Sequence, residues 1–176
     1  MKKLLTNGTV LTRDAAQPMV EQGAVLFEDG VILEVGTAAA LEQAHPDAER
    51  IDAKGGIILP GFINAHHHIY SAFARGLSIP GNCATDFPGV LEGTWWNIDR
   101  HLMRPMTRMS ACMTLIEGIR SGVTTIFDHH ASFGEIEGSL DEIAEAATTL
   151  GVRACLCYEI SRRDGAEKAR QSVLGN

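Results

Sequence analysis

The first part of the chain alternates between short β-type runs and turns. In GAVLFEDGVILEVG, residues 23–36, two apolar runs flank Asp29-Gly30, a dipeptide that typically forms a two-residue hairpin turn. AAALEQAH, residues 38–45, predicts one or two turns of helix. In GIILPGFINAHHH, residues 56–68, the apolar residues do not alternate, which is typical of a strand buried on both faces of a parallel sheet.

From about residue 57 the pattern changes to strands that alternate with helices. Helical spacing of apolar residues predicts a helix in TRMSACMTLIEGIRSG, with Thr107 as its N-cap. SLDEIAEAATTLG predicts a second helix, in which Ser139 is the N-cap and Glu142 completes a capping box. The predicted strands are VTTIFDHH and VRACLCYEI, and another helix begins in DGAEKARQSVLGN. Residues 76–105 are rich in Gly and Pro, which predicts a long loop with room for one short helix.

This alternation predicts an α/β fold with parallel strands. It also predicts a division into an N-terminal β-rich portion, residues 1–56, and a βα portion, residues 57–176. Three βα units cannot close an eight-stranded βα barrel, which needs about 250 residues. We therefore expect the chain to be the front portion of something larger.

Composition narrows the functional classes. With 45% hydrophobic and 21% charged residues, the chain is typical of a globular, water-soluble protein. A net charge of -7 argues against binding to nucleic acid, because phosphate-binding surfaces need a basic excess. No apolar run approaches the roughly 20 residues of a membrane span, so no membrane partner is predicted.

The four cysteines are Cys83, Cys112, Cys155 and Cys157, and none forms a C-x-x-C pair. Cys155 and Cys157 alternate with Leu156 in a strand-like run, so both are expected on one face. We interpret them as small buried hydrophobes, which fits a cytoplasmic location.

Three histidines, His66, His67 and His68, end the stretch of residues 56–68. Side chains alternate faces along a strand, so His66 and His68 point the same way and His67 points the opposite way. Two imidazoles at this spacing can bind one metal ion, although the same spacing also occurs where histidines only satisfy backbone groups. The end of an apolar strand is where α/β sheets and barrels place active sites, which favours metal binding.

LPGFINAHHHIYSAFARGL resembles the first barrel strand of the amidohydrolase superfamily, whose signature is Pro-Gly, a few small or apolar residues, and His-x-His. The preceding residues resemble that superfamily's N-terminal β-sandwich portion. GIRSGVTTIFDHHASFG resembles the aminohydrolase branch, which includes guanine deaminases and triazine hydrolases, and DHHASFG and RACLCYEISRRDG are most similar to its aminohydrolases named SsnA. The resemblance implies a β-sandwich portion followed by the first three βα units of an incomplete TIM-type (β/α)8 barrel.

The resemblance also implies a mechanism. His66 and His68 would bind zinc, or another divalent metal such as iron or manganese, together with a histidine and an aspartate from later strands. The metal would lower the pKa of a bound water, and the resulting hydroxide would attack a carbon that bears an amino or halide leaving group. Because the sequence ends at Asn176, the later ligands and the general base are expected outside it, so the chain alone is expected to be inactive. Further C-terminal polypeptide and a homo-oligomer are the expected partners, besides a small-molecule substrate.

Five other residues are candidate substrate contacts. Each has a plain structural alternative. Asp99 lies where related deaminases carry an acidic residue, or it ends a solvated helix. Trp95 could stack on a planar heterocycle, or it could anchor the loop. The remaining candidates end strands. His129 and His130 are adjacent and face opposite ways, so only one of them could face a barrel mouth; otherwise they are polar strand-end residues. Glu159 could also face the mouth.

Two functional interpretations stay open besides hydrolytic deamination of a purine-like or other cyclic amidine substrate. One is hydrolysis of a cyclic amide, as in imidazolonepropionase-like relatives. The other is a metal-binding or interaction fragment without catalysis. Residues of the first strand do not separate them.

Overall fold

The computed structural model describes residues 1–176 and divides them into two compact units, Met1–Pro60 and Gly61–Asn176. The observed mixture of strands and helices confirms the α/β class in its coarse form. The domain boundary after residue 56 stays a prediction. No helix in the structure combines the length and the apolar character that a membrane span requires.

The first unit is built around one five-stranded sheet. Its strands are β1 (Lys3–Leu11), β2 (Met19–Glu28), β3 (Val31–Thr37), β4 (Glu49–Asp52) and β5 (Ile57–Ile58). Their order is β3-β2-β1-β4, and β5 also pairs with β1. The β1–β2 and β2–β3 pairs are antiparallel, whereas β4 and β5 run parallel to β1.

The predicted hairpin and the predicted short helix are both present in this unit. Asp29 and Gly30 connect β2 to β3, and both have positive φ, 49° and 80°, as a type I′ turn requires. Helix α1 (Ala38–Ala44) follows β3 and is capped by the Thr37 hydroxyl, which accepts a hydrogen bond from the backbone N–H of Ala40. The α1 residue Leu41 closes a small apolar cluster with Leu4, Ala24, Leu26 and Ala48.

The second unit is a three-stranded parallel sheet with helices between its strands. The strands are β6 (Phe62–His67), β7 (Val123–His130) and β8 (Arg153–Tyr158), and the α-helices are α2 (Phe87–Val90), α3 (Trp96–His101), α4 (Arg104–Arg120), α5 (Ser139–Leu150) and α6 (Ala166–Leu174). The strand order β6-β7-β8 follows the chain, and both pairs are parallel. The largest apolar cluster joins the sheet to α4 and α5 through Ile126, Leu115 and Ile143.

The predicted buried strand at residues 56–68 is wrong in two respects. Ile57 and Ile58 pair with β1 in the first unit, and β6 begins only after Pro60 and Gly61. Pro60 explains the break between β5 and β6, because a proline has no N–H to donate to the hydrogen-bond ladder of a sheet. Moreover, Phe62 and Ile63 are 55% and 64% exposed, because the helices cover only one face of the three-stranded sheet.

Both predicted N-caps are wrong. Helix α4 begins at Arg104, and Thr107 is fully buried inside it. Pro105 explains the earlier start, since the fixed φ of proline suits the first turn of a helix. Ser139 is the first residue of α5 rather than its N-cap, and its hydroxyl donates to the carbonyl of Ile136. The carboxylate of Glu142 binds Arg104 instead of completing a capping box.

The predicted long loop is more helical than expected. Residues 87–101 form α2, a π-helical turn at Leu91–Trp95, and α3 without a break. The Asp86 carboxylate caps α2 by accepting the N–H of Gly89 at 2.8 Å. The π turn interrupts the regular spacing of apolar residues, which explains why periodicity failed to reveal the helical stretch.

Close packing at Gly61 provides a test of the β6–β7 contact. A Cβ at Gly61 would overlap the side chain of Thr124 on β7, so Gly61→Ala is expected to lower the free energy of unfolding by about 1–3 kcal/mol, the usual cost of overpacking. Gly118→Ala is the matched control, because its Cβ would lie an ordinary 3.6 Å from Val123 and alanine is favoured inside a helix. Denaturant unfolding measures both variants. Equal stability of Gly61→Ala and the wild type would contradict the packing argument.

Candidate metal centre

The rings of His66 and His68 meet at the carboxyl end of β6. Their Nε2 atoms are 3.1 Å apart, and the ring planes are nearly perpendicular at 86°. Two imidazoles that bind one tetrahedral zinc ion at about 2.0–2.1 Å place their nitrogens roughly 3.3 Å apart. The pair therefore fits one metal ion, although 3.1 Å would equally suit an N–H···N hydrogen bond. That these residues bind metal stays a prediction.

The ring of His68 is already oriented as a metal ligand would be. Its Nδ1 lies 3.0 Å from the backbone carbonyl of His129. A carbonyl oxygen can only accept, so Nδ1 carries the proton and the neutral ring has its lone pair on Nε2. Metal-binding histidines typically donate their other ring N–H in this way, which fixes the tautomer and the ring orientation.

His67 lies on the opposite face, as strand alternation predicts. Its Nδ1 is 3.2 Å from Oδ1 of Asp128 on β7, and the carboxylate of Asp128 is fully buried. The same Oδ1 accepts the backbone N–H of Ile69 at 2.6 Å. Oδ2 of Asp128 has no hydrogen-bond partner. The His67 ring is therefore hydrogen-bonded on the helix-covered side of the sheet.

The chain itself supplies two candidate ligands and no more. No group of three or more His, Cys, Asp or Glu side chains is arranged to hold a metal ion. The nearest additional imidazole is that of His129, whose ring centroid is 5.7 Å from that of His68. A pair of ligands leaves open coordination positions, which is the arrangement that catalytic metal sites need once a third ligand is present.

The uncovered face of the sheet carries both polar and apolar groups, and we call it the open face. Besides the histidine pair it presents Phe127, which is 45% exposed. Cys155 and Cys157 are exposed and line a shallow cavity of about 210 Å³ beside His66 and His129. The prediction that these cysteines are buried is wrong, because they belong to the face that no helix covers.

Strand alternation separates His129 from His130. His129 is exposed on the open face, whereas His130 is fully buried on the helix side. The His130 ring lies between Tyr70 and Tyr158, with centroid distances of 6.3 and 5.7 Å, and neither ring nitrogen has a partner. Burial lowers the pKa of His130 to about 4, so the ring is neutral at neutral pH. A substrate role for either histidine stays a prediction.

Asp99 is a buried ion-pair partner in this structure. Its two carboxylate oxygens lie 3.2 and 2.5 Å from the terminal nitrogens of Arg163, and the side chain is fully buried. Burial raises the pKa of Asp99 to about 6, with Arg163 opposing the shift, so the carboxylate is charged at neutral pH. The solvated position that was the structural alternative for Asp99 is wrong. With both oxygens engaged, nothing in this geometry supports the predicted substrate contact, which stays untested.

Arg163 also contacts other side chains at this end of the second unit. Its Nε donates to Glu159 at 3.0 Å. Its guanidinium lies over the rings of Trp96 and Phe133, at 5.1 and 4.1 Å from their centroids. Glu159 is therefore part of the same cluster. Trp95 is half-buried, and its ring centroid is 6.3 Å from that of Tyr70. Substrate contacts by Glu159 and Trp95 stay predictions.

Sequence reasoning missed Asp128 and Arg163. Asp128 gives a signal, because it is a carboxylate inside the apolar run of VTTIFDHH, but its partners depend on the register between β6 and β7. The sequence gives no signal for Arg163, because Arg162 beside it is of the same residue type and only the fold shows which of the two is buried against Asp99.

Family models match both parts of the chain. The model described as "Amidohydrolase family" matches residues 57–173. The chain belongs to the amidohydrolase family. A second model, described as "Imidazolonepropionase-like composite domain, bacteria", matches residues 23–48. The predicted resemblance is confirmed.

Curated members of the amidohydrolase family that resemble the chain include deaminases. A 5-methylthioadenosine/S-adenosylhomocysteine deaminase of Syntrophomonas wolfei is 32% identical over 158 residues, which are 89% of this chain and 33% of that protein. An 8-oxoguanine deaminase of Pseudomonas aeruginosa is 32% identical over 157 residues, 86% of this chain and 34% of that protein. The chain therefore spans about a third of the length of these relatives.

Solved amidohydrolase structures agree with the fold. A mutant of the atrazine chlorohydrolase TrzN from Arthrobacter aurescens, complexed with zinc and atraton, matches with a TM-score of 0.70 and 27% identity, over 88% of this chain and 35% of that one. A guanine deaminase from Bradyrhizobium japonicum matches with a TM-score of 0.76 over 99% of this chain and 40% of that one. At 18% identity, the second likeness concerns the fold alone.

The Arg163 cluster gives a stability prediction. Arg163→Met leaves the buried Asp99 carboxylate without its partner, so the free energy of unfolding is expected to fall by about 3–5 kcal/mol. Arg170→Met is the control, because Arg170 pairs with Glu167 on the surface, where ion pairs contribute little. Denaturant unfolding measures both. An Arg163→Met variant as stable as Arg170→Met would show that the buried pair does not stabilise the fold.

Proposed function

We propose that the chain forms the first part of a metal-dependent aminohydrolase, in which His66 and His68 are two of the metal ligands. The observation that carries this proposal is the convergence of the two Nε2 atoms at the carboxyl end of β6. The first unit would be the N-terminal β-sandwich portion of such an enzyme. β6, β7 and β8 with their following helices would be the first three βα units of its (β/α)8 barrel.

The donor set fits zinc, because neutral imidazole nitrogens are common zinc ligands. The zinc in the solved triazine hydrolase, a family member, supports the same metal here, with iron or manganese as alternatives. When bound, such a metal supplies a hydroxide at neutral pH by lowering the pKa of a coordinated water. The chain's own contribution is to present two lone pairs on one side of the sheet, with the His68 tautomer fixed by the His129 carbonyl.

The proposed reaction is hydrolytic deamination of a purine-like or other cyclic amidine substrate. It is supported by relatives named as deaminases of adenosine derivatives and of 8-oxoguanine. The general base would come from polypeptide beyond these three strands. His129 on the open face is the nearest candidate in this chain for a substrate contact.

Further polypeptide would complete both the metal site and the sheet. The support is the open face itself, where apolar side chains lie exposed beside the histidine pair. A parallel sheet is normally covered on both faces. We propose further βα units of the same protein as that cover, and a homo-oligomer as the final assembly.

Hydrolysis of a cyclic amide is the second candidate reaction. It is favoured by the match of residues 23–48 to an imidazolonepropionase-like domain. That match lies in the first unit, whereas the histidine pair lies in the second, so deamination remains the leading proposal.

Zinc titration tests the proposed ligands. The 176-residue chain is expected to bind one zinc ion, and His66→Ala and His68→Ala are each expected to weaken binding by about 10–100-fold or more, at least as much as losing an outer partner of a ligand. His101→Ala is the control, because His101 is exposed and its ring forms a hydrogen bond with the carbonyl of Asn97 rather than with either candidate ligand. Calorimetry measures the affinities. Zinc affinity that is unchanged in both His66→Ala and His68→Ala, or no zinc binding by the wild type, would favour the inert-fragment interpretation.

Self-association tests the open face. We expect the chain alone to self-associate or aggregate, because exposed apolar sheet faces and strand edges pair with other chains. Phe127→Lys on this face is expected to reduce self-association, whereas Phe87→Lys on α2 is the control at another exposed phenylalanine. Light scattering after size-exclusion chromatography over a range of concentrations gives the molar mass. A wild-type monomer that unfolds cooperatively would contradict the prediction.

A further inference from the structure

The position of His68 is not fixed by the sheet ladder alone. β6 ends at His67, and a short 3₁₀ helix begins at Ile69. His68 therefore occupies the junction between the two elements, with φ -138° and ψ 89° and no hydrogen bond from its side chain to that helix. A ligand at a junction needs additional contacts if its ring is to stay in one place.

Asp128 supplies contacts on both sides of this junction. Its Oδ1 atom accepts the ring N–H of His67 at 3.2 Å and the backbone N–H of Ile69 at 2.6 Å. These are the residues immediately before and after His68. Because the carboxylate is fully buried, water does not compete for either hydrogen bond.

The two faces of the sheet thus act together on His68. On the helix side, Asp128 binds the ring of His67 and the peptide N–H of Ile69. On the open face, the His129 carbonyl then receives the His68 Nδ1 proton at 3.0 Å, and Nε2 is directed to within 3.1 Å of Nε2 of His66. Without Asp128, the backbone around His68 would lose its tie to β7 and the ring would no longer be confined to this orientation.

We propose that Asp128 is a positioning residue of the metal centre, acting through His67 and Ile69 on the orientation of His68. This inference rests on the proposed function of His66 and His68 as metal ligands. Asp128 does not touch the proposed metal position, since it lies on the other face. Outer partners of this type typically change metal affinity by about 10–100-fold when they are removed.

The experiment compares three variants of the 176-residue chain by zinc titration. Asp128→Ala removes both hydrogen bonds and is expected to weaken zinc binding by about 10–100-fold. Asp128→Asn keeps an acceptor oxygen and is expected to restore most of the affinity. Ser132→Ala is the control, because Ser132 is buried two residues beyond the end of β7 and its hydroxyl donates to the carbonyl of Glu135 rather than contacting residue 67 or residue 69. Its affinity is expected to stay near that of the wild type.

A second measurement follows His68 without metal. The ¹⁵N shifts of the His68 ring report its tautomer, which is expected to be Nδ1–H in the wild type and in Asp128→Asn, and a mixture in Asp128→Ala. Far-ultraviolet circular dichroism checks folding. If the alanine variant is unfolded, Asp128→Ser replaces it, because the shorter hydroxyl cannot reach both donors.

The outcomes separate this inference from the proposed function. Equal zinc affinity for Asp128→Ala and the wild type, or an equal loss in Ser132→Ala, overturns the positioning role and leaves the ligand assignment standing. Absence of zinc binding in the wild type overturns the proposed function, while the tautomer measurement still decides whether Asp128 orients His68. An unchanged tautomer in Asp128→Ala also overturns the inference.

Discussion

The alternation of side chains across β6 sends the rings of His66 and His68 to one face of the sheet and the ring of His67 to the other. The Nε2 atoms of the two rings lie 3.1 Å apart on that face, with His68 at the junction between β6 and the following 3₁₀ helix. The intervening histidine then becomes available to the buried side, where Asp128 binds it. The proposed ligand pair and its proposed support would therefore come from one tripeptide and one facing carboxylate.

The one-sided covering of the sheet explains the remaining features of the second unit. Side chains on the helix side form a dry core, in which polar groups such as His130 and Asp99 are fully buried. A buried carboxylate is tolerated only with a partner, and Arg163 supplies it for Asp99. Side chains on the open face have no such cover, so Phe127 and two thiols are exposed beside the histidines. The candidate site and the exposed apolar surface are the same face.

These observations are consistent with membership of the amidohydrolase family. The region that matches this chain makes up about a third of the length of its relatives. A two-histidine site is chemically incomplete for hydrolysis, since the open coordination positions need at least one more protein ligand and a base. The incomplete ligand set and the uncovered sheet face are consistent with one another, because the same additional strands would supply both the missing ligands and the cover.

The sequence by itself determined the properties that depend on local backbone geometry. These are the Asp29-Gly30 turn, the strand–helix order from α4 to α6, the family signature, and the placement of His66 and His68 on one face. Only the tertiary structure decided that His130 is buried, that Cys155 and Cys157 are exposed, and that Asp99 pairs with Arg163. Asp128 was missed for the same reason. Its partner His67 is 61 residues away in the chain, and strand register and helix packing, not local periodicity, bring residues at such separations into contact.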